Sequence, residues 1–117
     1  MPNSRLKLLF ICSMNQWRSP TAEKIYSHHH AVIARSAGTN KSAKRQLKPH
    51  DIDWADVICV MENQHKQRIL QLDPQAQDST DIYVLDIPDD YQFMDPALID
   101  ELQDSVNNII NDYLPAG

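Results

Sequence analysis

The sequence predicts an α/β domain built on a four-stranded parallel sheet with helices on both faces. Apolar runs recur four times, at 6–12 (LKLLFIC), 31–39 (AVIARSAGT), 55–61 (ADVICVM) and 81–87 (DIYVLDI). Stretches with helical spacing lie between or after them. The runs are nearly continuous rather than alternating, which is the pattern of strands buried on both faces of a parallel sheet. With 117 residues, the chain is long enough for one core and too short for two. Residues 1–117 are therefore expected to form a single three-layer domain.

Taken in order, the first strand ends at Cys12. Ser19-Pro20 then reads as a helix cap followed by proline at the first helical position, with Glu23 in the first turn. Ala22, Ile25 and Tyr26 carry that helix to about His29. The second strand closes at a glycine turn, and the polar stretch 40–54 holds one short helix near KPHDIDWA. After the third strand, ENQHKQRILQL fits a helix with Ile69, Leu70 and Leu72 inward. The fourth strand leads into the loop IPDDYQF. Asp95-Pro96 opens a last helix in which Leu98, Ile99, Leu102, Val106, Ile109, Ile110 and Tyr113 recur at three- and four-residue steps. Right-handed crossovers place all strand C-termini on one edge of the sheet, where ligands bind in open α/β folds. Cys12, Ser36, Met61 and the 86–91 loop belong to that edge.

Composition removes several function classes. A formal charge of −5 argues against a large basic face for nucleic acid, while leaving room for a small cationic pocket. The two cysteines, Cys12 and Cys59, make no disulfide framework and read as reduced thiols, which points to the cytoplasm. The apolar stretch before Cys12 is too short for a signal peptide, and Asn15, Gln16 and Arg18 occupy the place of a cleavage site. No run reaches membrane-spanning length, so no membrane association is expected, and the match NKS at 40–42 to a glycosylation acceptor is incidental. Consecutive His28, His29 and His30 point in different directions on a helix, and His50 and His65 stand alone, so no metal site is expected. Cys59, in mid-strand, reads as a buried inert thiol, and Trp54 as a packing residue.

Chemistry concentrates in Cys12-x5-Arg18-Ser19, a loop between a strand and a helix N-terminus. Such a junction aims several backbone N–H groups at one spot, at the positive end of the helix dipole. Arg18 adds a planar fork that grips two phosphate oxygens at once. The same field stabilises a thiolate at Cys12, and a hydroxyl from Ser19 assists its departure. A thiolate in a cage built for phosphoryl oxygens is a nucleophile set for covalent catalysis.

CSMNQWRSPTAE resembles the signature of the low-molecular-weight protein tyrosine phosphatases, Cys-x5-Arg-Ser/Thr followed by Pro. The resemblance continues in SAGT at 36–39, in ADVICVM at 55–61 and in an acidic loop before a last helix, and is nearest to a short bacterial branch of predicted tyrosine phosphatases. It implies that Cys12 is the nucleophile, that Arg18 binds phosphate and that Ser19 stabilises the thiolate. It further implies that Asn15 holds the loop's backbone and that Ser36 bonds to Asn15. Ser13, Met14, Gln16 and Trp17 complete the substrate-binding loop. Two departures stand out. Met14 replaces a frequent glycine, which shifts backbone strain to Asn15. Trp17 replaces a second cysteine, which removes a redox device and offers a pocket wall instead.

The family's general acid lies in Asp-Pro followed by aromatics, where this chain has DIPDDYQFMDP. Asp86 ends a strand and Asp95 caps the last helix, which leaves Asp89 favoured, Asp90 and Asp86 as alternatives, and Tyr91 as an aromatic contact. The reading is a phosphomonoester hydrolase using a phosphocysteine, without metal or organic cofactor. Its substrate is a phosphotyrosine protein or a small aryl phosphate, and its product inorganic phosphate. Two rivals remain. One is an arsenate reductase on the same fold, which would need a relay of cysteines. The other is a phosphopeptide-binding module without turnover, which an absent acid would favour.

Overall fold

The computed structural model describes residues 5–114. Four strands, β1 (Leu6–Cys12), β2 (Val32–Gly38), β3 (Val57–Val60) and β4 (Asp81–Val84), form one parallel sheet in the order β2-β1-β3-β4. Five helices accompany them: α1 (Arg18–Tyr26), α2 (Pro49–Trp54), α3 (Asn63–Leu72), α4 (Ala76–Ser79) and α5 (Pro96–Tyr113). Two apolar layers bury the sheet. On one face Leu8, Phe10, Val57 and Cys59 pack with Ala22 and Tyr26 of α1 and Leu98, Leu102 and Val106 of α5. On the other, Leu9, Ile11, Ile58 and Val60 pack with Ile52 of α2, Ile69 of α3 and Ala76 of α4. Both faces of β1 and β3 are thus covered, which is why their sequences do not alternate. Among the described residues, no helix is long and apolar enough to cross a membrane.

Several boundaries move, each for a local reason. Helix α1 begins at Arg18, with Trp17 as an N-cap that makes no side-chain cap bond. Ser19 is therefore inside the helix rather than its cap, because its hydroxyl is engaged with Cys12. The earlier start moves Glu23 out of the first turn, and the helix stops at Tyr26 rather than near His29. The single turn α4 has no signal in the sequence pattern. Strand β4 ends at Val84, and its continuation stays tied to β3 through Leu85 N–H to Val60 O (2.8 Å) and Ile87 N–H to Met61 O (2.9 Å). Asp86, between them, takes a positive φ of 57°. That kink turns the 86–91 loop over the C-terminal edge of the sheet. Asp95 caps α5, its carboxylate accepting from Ala97 N–H at 2.9 Å, as expected.

Candidate active site

β1 delivers Cys12 to the sheet edge with 3% of its surface exposed, at the mouth of the loop that runs to Arg18. The loop's carbonyls are tied down by the segment after β2. Thr39, Asn40 and Lys44 N–H groups donate to the oxygens of Cys12, Ser13 and Met14 at 3.0, 2.9 and 3.1 Å. Among the described residues, the N–H groups of residues 13–18 have no backbone acceptor outside the regular elements. The first turn of α1 also lacks a side-chain cap. Loop and helix N-terminus together present a set of free donors beside the thiol, an arrangement that suits an anion.

Behind the loop, partner chemistry sets the direction of a hydrogen-bond chain. Glu23 can only accept, so the Ser36 hydroxyl donates to it. Asn15 Nδ2 donates to both Ser36 Oγ and Ser19 Oγ, each at 2.9 Å. The Ser19 hydroxyl keeps its own proton, for which Cys12 Sγ at 2.9 Å is a nearer acceptor than the Ala37 carbonyl at 3.5 Å. A hydroxyl donating to sulfur stabilises the anionic form of the thiol. Asn15 holds its place at a positive φ of 52°. Asparagine tolerates this region better than most residues, and Met14 beside it is spared it.

Arg18 is 2% exposed. Its Nη1 donates to the Glu62 carboxylate and, at 2.9 Å, to the Ile87 carbonyl. Its buried Nε has no hydrogen-bond partner, and the nearest carboxylate oxygen, Asp89 Oδ1, is 3.5 Å away. One edge of the guanidinium is anchored, and the other holds a buried donor without an acceptor. Such a donor is costly unless a ligand oxygen satisfies it.

Cys12, Met14, Gln16, Trp17, Arg18 and Asp89 enclose a small pocket over the thiol, of about 30 Å³. Asp89 is the loop carboxylate that lines it. Asp86 and Asp90 are exposed outside that lining. Tyr91 differs from the expectation. Its hydroxyl donates to Glu101 of α5 at 2.9 Å, and it does not line the pocket. Phe93 is the aromatic that comes near, lining a neighbouring groove of about 390 Å³ with Trp17, Gln16 and Pro20.

Two residues in the site escaped the sequence reading. Glu62 and His65, at the start of α3, reach Arg18 and Ser13 respectively. Glu62 carried no motif, and His65 stood alone, so only the β3–α3 turn's arrival at the sheet edge could have drawn attention to them. Cys59 is fully buried opposite Phe10 in the ladder, and burial pushes its thiol up to about 12. Among the described residues, no cluster of side chains could hold a metal ion.

Gly38 explains the small residue at the end of β2. A Cβ there would lie 2.6 Å from Ser13 O and from Ala43 Cβ, and 2.8 Å from Asn15 N. Gly38→Ala is therefore expected to displace the loop itself. Overpacking of this kind costs about 1–3 kcal/mol. A lower Tm together with weaker phosphate binding is the expected outcome, and calorimetry with phosphate titration checks it.

No protein-family model matches the sequence, and no curated protein sequence does. Solved structures match along nearly the whole chain. A low-molecular-weight phosphotyrosine phosphatase from Vibrio cholerae O395 superposes with a TM-score of 0.73 at 17% identity, over 96% of this chain and 99% of that one. Vibrio vulnificus Wzb in complex with benzylphosphonate gives 0.69 at 23%, over 95% and 100%. YwlE arginine phosphatase from Geobacillus stearothermophilus gives 0.63 at 22%, over 96% and 99%. Strand order, the loop after β1 and the superposition of whole chains agree: this chain has the fold of the low-molecular-weight protein tyrosine phosphatases.

Proposed function

We propose that the protein is a cysteine-dependent phosphomonoester hydrolase, acting in the cytoplasm on phosphotyrosine in proteins or on small aryl phosphates. The observation that carries this is the 2.9 Å contact from Ser19 Oγ to Cys12 Sγ, inside a loop whose amides have no other backbone acceptor. A structural cysteine would need neither. The neighbour with benzylphosphonate bound supports an aryl substrate on this fold.

In the first step Cys12 Sγ attacks phosphorus. The S–P bond forms as the bond to the phenolic oxygen breaks, and Asp89 gives that oxygen its proton. The loop amides and the free edge of Arg18 hold the non-bridging oxygens, whose charge they stabilise in the transition state. In the second step Asp89 takes a proton from water, water's oxygen attacks phosphorus, and the S–P bond breaks to release phosphate. Ser19 stabilises the departing thiolate through its hydroxyl proton. Asp89 hangs over Cys12 on a loop 56% exposed at that side chain, so it has freedom to leave Arg18 and meet a leaving group.

Arsenate reduction fits less well. It needs a second accessible thiol, and Cys59 is buried and held protonated. The YwlE structure makes phosphoarginine the other substrate to assay. Comparing kcat/KM on phosphotyrosine and phosphoarginine peptides decides between them. The expected result is preference for phosphotyrosine, because Trp17 and Met14 wall the pocket with apolar surface.

The acid has its own test. Positioned proton transfer contributes about a hundred- to ten-thousand-fold, and most when the leaving group is poor. Asp89→Asn should slow phenyl phosphate hydrolysis more than that of p-nitrophenyl phosphate. Asp90→Asn and Asp86→Asn should show no such dependence. A leaving-group effect confined to Asp90→Asn would move the assignment by one residue.

A further inference from the structure

His65 is a buried titratable side chain to which the chemistry above gives no part. It is 1% exposed, so no water is at hand to replace a lost partner. Its Nδ1 accepts from the Glu62 backbone N–H at 3.0 Å, and its Nε2 lies 2.9 Å from Ser13 Oγ. A neutral imidazole has one donor and one acceptor nitrogen. With Nδ1 accepting, Nε2 carries the proton and donates to Ser13 Oγ. The charged groups acting on the ring are Arg18, Glu62 and Asp89. Burial, then the Arg18 guanidinium, lower its pKa to about 4, against the opposing pull of Glu62 and Asp89. The ring is therefore neutral at neutral pH, in one tautomer.

Ser13 follows the nucleophile directly and is half-buried. His65 fills one of its acceptor positions, and the Ser13 side chain does not itself line the pocket over the thiol. Among the described residues no other hydrogen bond engages that side chain. The same short turn anchors Arg18 through the Glu62 carboxylate. The start of α3 thus touches both ends of the anion-binding loop.

We propose that His65 is a positioning residue that holds the Ser13 side chain, and with it the start of the anion-binding loop, in the shape that receives the phosphoryl group, with the Glu62 backbone amide locking the ring in the tautomer that does so. The inference rests on the phosphatase reading. It gives the first residue of the loop a polar role in fixing the loop's shape. It also makes the β3–α3 turn part of the site.

Two amide substitutions of similar size separate the two ring nitrogens. His65→Asn keeps an acceptor for the Glu62 amide and falls short of Ser13. His65→Gln can place an N–H where Nε2 stood. On p-nitrophenyl phosphate, His65→Asn is expected to lose about tenfold in kcat/KM and His65→Gln to stay within about threefold of wild type. Ser13→Ala should also lose about tenfold. The double variant His65→Asn/Ser13→Ala should lose no more than either single one, since both remove the same interaction. Losses that multiply to about a hundredfold, equal impairment of the two amide variants, or full activity of His65→Asn would each overturn the proposal. Wild-type turnover that depends on Cys12 is the control. If it is present, such a failure leaves the phosphatase reading intact, and if it is absent the reading itself fails.

Discussion

Cys12→Ser is expected to abolish hydrolysis of p-nitrophenyl phosphate, with a loss of about ten-thousandfold or more, the scale on which covalent nucleophiles fail when removed. The serine oxygen is nearly isosteric with sulfur but is a far weaker nucleophile. Binding should survive. The amides of residues 13–18 and the Arg18 edge are untouched, so phosphate or vanadate should still bind, within about threefold of wild type by titration calorimetry. Cys59→Ser is the control. Its thiol is fully buried in mid-strand and its proton is held by burial up to about 12. It should keep activity within about twofold of wild type while losing some thermal stability, because a hydroxyl replaces a small apolar group in the core. Equal losses at both cysteines would indicate a thiol relay and favour the reductase chemistry.

Arg18→Lys should cost about a hundred- to a thousandfold in kcat/KM, although the charge is kept. The reason is geometric. Arg18 uses Nη1 for Glu62 and the Ile87 carbonyl, which leaves Nε and the other amino group for phosphate. A lysine ammonium is a single centre. It can sit at the Glu62 anchor or at the phosphate, not at both. Inorganic phosphate should bind correspondingly more weakly, and the half-buried Glu62 carboxylate, losing part of its partner, should add a small fall in Tm. A lysine variant with wild-type kcat/KM would show that Arg18 contributes charge alone.

The sheet, the order of its strands along the chain and most helices were legible because burial on both faces imposes continuous apolar runs, and because α5 repeats its apolar residues at helical steps over eighteen residues. The loop from Cys12 to Arg18 was legible for a different reason. A thiol, a guanidinium fork and a helix start lie within a few residues, so backbone connectivity alone holds them together. Asp95 announced itself similarly, as a cap beside proline.

What sequence could not supply depends on contacts made only in the folded chain. Ser19 reads locally as a helix cap, and only the approach of Cys12 and Asn15 shows its hydroxyl engaged elsewhere. Tyr91 reads as a substrate contact until Glu101, on another element, captures its hydroxyl. Among four acidic candidates, the choice of Asp89 over the pocket depends on the kink at Asp86 and on the ties from Leu85 and Ile87 to β3. Glu62 and His65 belong to the site because a parallel crossover brings the start of α3 back to the edge where β1 ends. By itself the sequence determined the fold class and which residues could carry phosphate chemistry, since period, burial and loop spacing are local properties. Only the tertiary structure decided which hydroxyl, carboxylate and imidazole surround them, because partners such as Arg18 and Glu62, 44 residues apart, or Ser13 and His65, 52 apart, are chosen by packing and leave no mark on either segment alone.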